Sequence, residues 1–290
     1  MRVSFHPDYR VDLPPTHPYP MGKYPLLHAR LLAAGIIAPD DVMAPEPAAV
    51  ELLARVHTAD YLDRLARDAL GATERRRLGV PFTPRLWRRS RLAVHGTWLA
   101  ARAALADGLA GNLAGGTHHA FADHGEGFCV LNDVAIAIRR LRAEDGVRRV
   151  LVVDLDVHQG NGTAAIFAGD RDVYTLSLHG ERNYPVRKER STRDVELADG
   201  TGDEAYLAAL APALAEALDV AAGDRYGRLA LSEAGLRRRE RQTITALRDA
   251  GCPLAIVLGG GYAASTLRTA ELHAIVFEAA RERWRLERER

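Results

Sequence analysis

The 290-residue chain carries 39 Lys+Arg against 38 Asp+Glu, so its net charge of +1 gives no global field toward nucleic acid or an anionic membrane. At 47% hydrophobic and 27% charged residues, its composition is that of a soluble globular protein sized for one large α/β domain or two small ones. Cys129 and Cys252 make no disulfide framework and suit a reducing cytoplasm. The N-terminus MRVSFHPDYR lacks the apolar core of a signal peptide, and no apolar run is long enough to span a bilayer.

In chain order, residues 1–23 read as a strand and a Pro-, His- and Tyr-rich loop. Helices are expected at Tyr24–Ala34, Pro45–Val56 and Ala59–Leu70, and a long one at Pro84–Leu109. Residues 112–133 are Gly-rich, carry His118, His119, Asp123, His124 and Glu126, and show too little periodicity for a regular element. An irregular loop of that length inside a compact domain is usually functional or mobile. A helix is expected at Leu131–Glu144. Val150–Val153 then reads as a strand buried on both faces, ending in Asp154, Asp156 and His158. Alternation puts Asp156 and His158 on one face, and Gly160 and Gly162 let the chain turn away. A helical turn (Thr163–Phe167), a strand (Val173–Leu178) and a charged loop (180–200) follow. Helices are expected at Asp203–Leu218 and Ser232–Ala250, with Ser232 as N-cap, and a strand at Leu254–Leu258 running into the GGGY of Gly259–Tyr262. A charged helix or tail closes the chain at about 278–290. Strands alternating with helices predict an α/β fold with a mainly parallel sheet covered on both faces. The basic clusters Arg75–Arg77, Arg88–Arg91 and Arg237–Arg241 read as solvated helix faces.

Four polar clusters fall at loops or strand ends: His118–His119, Asp156/His158, Asp219 with Asp224, and Gly259–Tyr262. Two carboxylates and an imidazole can hold a divalent cation and leave a position for water and substrate. Such a metal acidifies the water and polarises a carbonyl, a nearby histidine can move the proton, and a tyrosine hydroxyl can stabilise an oxyanion. None of these clusters is specific alone.

Taken in order, PMGKY (Pro20–Tyr24), GGTHHA (Gly115–Ala120), GFCVLND (Gly127–Asp133), DLDVHQGNGT (Asp154–Thr163), SLHGERNYP (Ser177–Pro185), GDRYGRLALS (Gly223–Ser232) and GGGY resemble the histone deacetylase superfamily, in its class IV-like, bacterial-type branch. The resemblance runs from Phe5 to about His273 and implies one arginase/deacetylase-like domain, a three-layer α/β/α fold with a mainly parallel central sheet. It implies a cytoplasmic, zinc-dependent hydrolase, with Fe(II) an alternative metal, that removes acyl groups from acyl-lysine or a related acylated amine. No nucleic acid or membrane partner is implied, and oligomeric state stays open.

Residue by residue, the resemblance makes Asp156 and His158 metal ligands and His119 the general base tuned by His118. Asp154 orients His118, and Asn161 stands behind His119 where many relatives have an acid. Tyr262 stabilises the oxyanion or is a turn residue; Phe128 walls the acyl-lysine channel or is plain core. Gly127 and Gly260 belong to the same channel. A structural potassium ion is implied at Asp154, Asp156 and the carbonyls of His158, Ser177 and Leu178.

One departure stands out. The helix Asp203–Leu218 runs into LDVAAGDRYG with no apolar strand between, and the proline expected after the third ligand is absent. Asp219 keeps the spacing to Gly223 and Asp224 and is the candidate third ligand, on a strand that the sequence lacks. Two readings follow: a working deacylase, or an impaired binding protein that keeps the acyl-lysine pocket. Loss of an interior strand also predicts a gap in the core.

Overall fold

The computed structural model describes residues 1–220, 225–226 and 231–289, without the side chains of residues 219–220 and 225–226. Its strands are β1 (Val3–Ser4), β2 (Val42–Met43), β3 (Leu109–Asn112), β4 (Val150–Asp156), β5 (Val173–Gly180), β6 (Arg193–Leu197), β7 (Arg225–Tyr226) and β8 (Leu254–Ile256). Its helices are α1 (Lys23–Ala33), α2 (Val50–Leu53), α3 (Ala59–Ala66), α4 (Ala72–Leu78), α5 (Pro84–Asp107), α6 (Asp133–Glu144), α7 (Asn161–Ile166), α8 (Asp203–Val220), α9 (Glu233–Asp249) and α10 (Thr266–Arg288).

Local chemistry sets the ends of the principal helices. α5 starts where Thr83 accepts from the Leu86 N–H and Pro84 occupies the first turn, and it stops at Gly108, which has positive φ. Ser232 caps α9 by accepting from the Gly235 N–H, as the sequence predicts. Asn132 caps α6, fixing the join between the Gly-rich loop and that helix.

All described strand pairs are parallel, in the orders β2-β1-β3-β8 and β6-β5-β4-β7. β4 shows the period of two at work. Leu151, Val153 and Leu155 pack with β5 against Tyr206, Leu210, Leu214 and Ala217 of α8. Val150 and Val152 pack on the opposite face against Ala135 and Ile138 of α6 and Phe167. Helix, parallel sheet and helix thus form the three expected layers.

Among the described residues the parallel strands form two groups. β8 pairs with β3 on one side, and β4 pairs along its length with β5. On the other side of β4, only Leu155 and Asp156 pair, with β7, among the described residues. The inner edges of β4 and β8 border one mostly apolar cavity of about 420 Å³, lined by Val150, Val152, Asp154, Leu254 and Ala255. Among the described residues, this is the space between the two groups of strands.

Smaller departures have simple causes. β6 lies inside the expected 180–200 loop, because RDVEL is too exposed to leave an apolar signature. Within the basic clusters, Arg89 and Arg239 are buried, Arg89 donating to the Tyr24 hydroxyl and Arg239 to Glu240. No helix among the described residues is long and apolar enough to cross a membrane. Cys129 and Cys252 are unbonded to each other.

Candidate active site

The polar side chains collect beyond the carboxyl ends of the parallel strands, where ligands sit in open α/β sheets. Asp154 and Asp156 lie at the end of β4, His158 just after it, and Asn161 opens α7. His118, His119, Gly127 and Phe128 come from the loop between β3 and α6, and Gly260 and Tyr262 from the segment after β8. His118, His119, Gly127, Phe128, Asp156, His158, Gly260 and Tyr262 line one pocket of about 290 Å³, together with Tyr184 and Tyr19.

The histidine loop is irregular but tied down. Asp133, fully buried, accepts from the Gly116 N–H (3.1 Å), the Thr117 N–H (2.8 Å), the Thr117 hydroxyl (2.5 Å) and the Thr97 hydroxyl (2.5 Å). Asn132 Nδ2 donates to the Ala120 carbonyl, and the Thr163 N–H to the His118 carbonyl. Gly116 has φ +67°, and a Cβ there would lie 2.5 Å from the Gly259 nitrogen, so no other residue lets the two loops meet. Asp133 ties the loop down from the start of α6, and its sequence signal is its place at the end of GFCVLND.

The adjacent histidines have different partners. His118 Nδ1 lies 2.5 Å from Asp154 Oδ2, and His119 Nδ1 lies 2.7 Å from Asn161 Oδ1, the two rings 4.1 Å apart. Burial pulls His118 down, but the Asp154 carboxylate wins and raises it to about 9. Burial pushes His119 well below the ordinary histidine value, and the neighbouring His118 cation pushes it the same way. The two environments drive like groups apart, toward a held cation at His118 and a neutral imidazole at His119.

Asp156 and His158 come together as expected. Asp156 Oδ1 accepts from the His158 N–H (2.9 Å) and lies 2.8 Å from His158 Nδ1. Asp156 Oδ2 is buried without a hydrogen-bond partner among the described residues, and a Cβ on Gly260 would come within 2.4 Å of it. A buried carboxylate oxygen with no donor is costly unless a cation meets it, so oxygen and imidazole here fit a Zn(II) or Fe(II) ion. Among the described residues, no group of three His, Cys, Asp or Glu could hold a metal. The expected third ligand, Asp219, lies in the last turn of α8 with a side chain outside the described residues, and Asp224 lies outside them altogether.

The pocket walls are aromatic. Phe128, at φ +68°, packs with its ring 5.5 Å from Tyr19 and 6.2 Å from Tyr262. Tyr262 is 45% exposed at the mouth. Gly127 fits against His119: a Cβ there would stand 2.6 Å from the imidazole. Ser177 and Leu178, expected near a monovalent cation, are buried on β5, Ser177 in register with Asp154.

Lys23 stands out, although in the sequence it carries no role beyond membership of PMGKY. It is buried, its Nζ donates to the Gly260 carbonyl, and the rings of Tyr19, Tyr24 and Tyr262 lie 5.3, 5.3 and 6.0 Å away. Burial lowers its pKa. It braces the turn that carries Tyr262. Lys23→Met leaves the Gly260 carbonyl without that donor and should lower the unfolding free energy by about 1–3 kcal/mol, read as a shifted urea midpoint. An unchanged midpoint would remove Lys23 as a brace.

Comparison with known proteins agrees with this geometry. The histone deacetylase domain matches residues 17–277, so the chain belongs to that family. An uncharacterized protein of Picosynechococcus sp. is 42% identical, across 97% of this chain and 98% of its own length. A histone deacetylase-like amidohydrolase of Pseudomonas aeruginosa is 33% identical across 81% of this chain and 70% of its own. A crystal structure of a histone deacetylase homologue, complexed with SAHA, superposes with a TM-score of 0.77 at 25% identity, covering 95% of this chain and 84% of that one. The fold is that of the arginase/deacetylase group, and the family is one of deacetylases and amidohydrolases.

Proposed function

We propose that the chain is a metal-dependent amide hydrolase, of the class IV-like, bacterial type, that removes the acyl group from acyl-lysine or a related acylated amine. One observation carries the reading. His118 paired to a carboxylate and His119 paired to a neutral amide share a pocket with Asp156, His158 and an aromatic wall. A zinc ion held by Asp156, His158 and Asp219, with Fe(II) the alternative, would polarise the acyl carbonyl and acidify the attacking water.

The chain's own groups do the rest. His119, neutral, takes the proton of the attacking water at Nε2 and returns it to the leaving amine. His118, kept cationic by Asp154, steadies the negative charge that builds beside it. The Tyr262 hydroxyl donates to the oxyanion, and Phe128 and Gly127 flank the stem of the acylated amine. A structural potassium ion belongs at Asp154, Asp156 and the carbonyls of His158, Ser177 and Leu178; the Asp154–Ser177 register supports it. A single domain acting in the cytoplasm, with no nucleic acid or membrane partner, suits the balanced charge and unbonded cysteines.

The deciding assay measures kcat/KM on lysine peptides bearing acyl chains from acetyl to long-chain, and on acetylated polyamines. Hydrolysis of at least one class, lost on chelation and regained with zinc, is expected. A 290 Å³ pocket with an apolar wall should accept chains longer than acetyl. No turnover of any acylated amine by metal-loaded protein would overturn the proposal.

A further inference from the structure

Asn161 stands between His119 and a carboxylate. Its Oδ1 faces His119 Nδ1 at 2.7 Å, and its Nδ2 donates to Glu126 Oε1 at 2.6 Å. The Tyr184 hydroxyl donates to the same oxygen at 2.9 Å, and the Tyr184 ring stands edge-on to His119 with centroids 5.0 Å apart. His124 Nε2 approaches the other oxygen of Glu126 at 3.7 Å.

A side-chain amide offers one acceptor and one donor end, and a half-turn exchanges them. Turned over, Asn161 would present its NH2 to His119 Nδ1, which would then have to be an acceptor. The proton would sit on Nε2, the atom that must take the proton from water. A carboxylate only accepts, so it holds the NH2 end toward itself. We propose that Glu126 is a positioning residue which, by fixing the orientation of Asn161, sets the tautomer of His119 with Nδ1 protonated and Nε2 free. This rests on the proposed role of His119 as base.

Burial pushes the Glu126 carboxyl up, but donors from His124, Asn161 and Tyr184 hold it down to about 2, so it stays acceptor-only near neutrality. The arrangement orients His119 without a carboxylate touching it. An acid directly behind His119 would draw it toward the cation, whereas a charge one amide further off leaves it a neutral base. Among the described residues His118, His158, Asp156, Glu126, Tyr184 and Asn161 act on His119, and only Asn161 touches Nδ1.

The test is 15N NMR of imidazole-labelled full chain, with the His119 signals assigned by their loss in His119→Gln, beside steady-state kinetics on an acyl-lysine peptide. The wild type should show His119 protonated at Nδ1. In Glu126→Gln the new amide can itself turn, Asn161 is released, and the second tautomer should appear. kcat should fall about tenfold or more with KM within about twofold. Glu126→Gln with Asn161→Asp puts an acceptor-only group directly on Nδ1 and should recover the single tautomer. A single, unchanged tautomer in Glu126→Gln would overturn the inference, as would failure of the double variant to restore it. Because the NMR readout needs no turnover, an inactive wild type showing these tautomer changes would overturn the proposed function and leave this inference standing.

Discussion

His119→Ala should lower kcat on an acyl-lysine peptide by about 10³-fold, within the usual span for loss of a general acid–base group, while metal content stays unchanged. The two halves of that expectation come from different parts of the site. His119 is bonded to Asn161, not to Asp156 or His158, so its removal takes no donor from the cation. It is also the histidine held neutral: burial and the His118 cation both depress it, whereas Asp154 raises His118 to about 9. His118→Ala should therefore act differently, removing a fixed positive charge and freeing Asp154 Oδ2 from its 2.5 Å partner. Rate and metal content are measured on the same preparation, the metal by atomic spectrometry. A His119→Ala protein that keeps its rate within about tenfold would move the role of base elsewhere. One that loses metal together with rate would make His119 a part of the metal's surroundings.

The sequence shows these roles where a side chain's chemistry is tied to a strand end or an ordered motif. β4 was readable because Val150–Val153 is apolar and β-branched and its polar residues alternate, and Asp156 and His158 do come together. The His118–Asp154 and His119–Asn161 pairs follow from motif order. The supports did not announce themselves. Lys23 lies 237 residues from the carbonyl it meets, and Glu126 acts through Asn161, 35 residues away. Neither separation leaves a local period. Charge misled in the opposite direction: Arg89 reads as one of a solvated basic run, yet it is buried and donates to Tyr24 and Tyr9. Short strands such as β1 and β2, two residues each, carry no pattern to read. That no apolar run precedes Asp219 is legible in the sequence, and among the described residues the strands form two groups.

Inserting an apolar strand that ends in Gly-Ala-Asp-Pro immediately before Ala221 should raise bound zinc to about one ion per chain and increase kcat/KM by about 100-fold or more over the present chain. The geometry for that strand is in place. β4 and β8 are parallel members of two sheets, their inner edges border the same cavity of about 420 Å³, and a parallel strand between them would join both sheets into one. Filling the cavity should also raise the melting temperature, since apolar surface and backbone edges that now border a void gain partners. The metal should respond most, because the inserted Asp would stand at a strand end beside Asp156 and His158, whereas Asp219 stands in the last turn of a helix. Metal analysis, thermal melting and rate are compared for the two proteins under the same zinc buffer. Equal metal and equal rate would show that Asp219 reaches the cation without the strand, and α8 would then have to deliver its carboxylate from the helix terminus. Higher stability with no gain in metal would show that the inserted strand fills the core without completing the site.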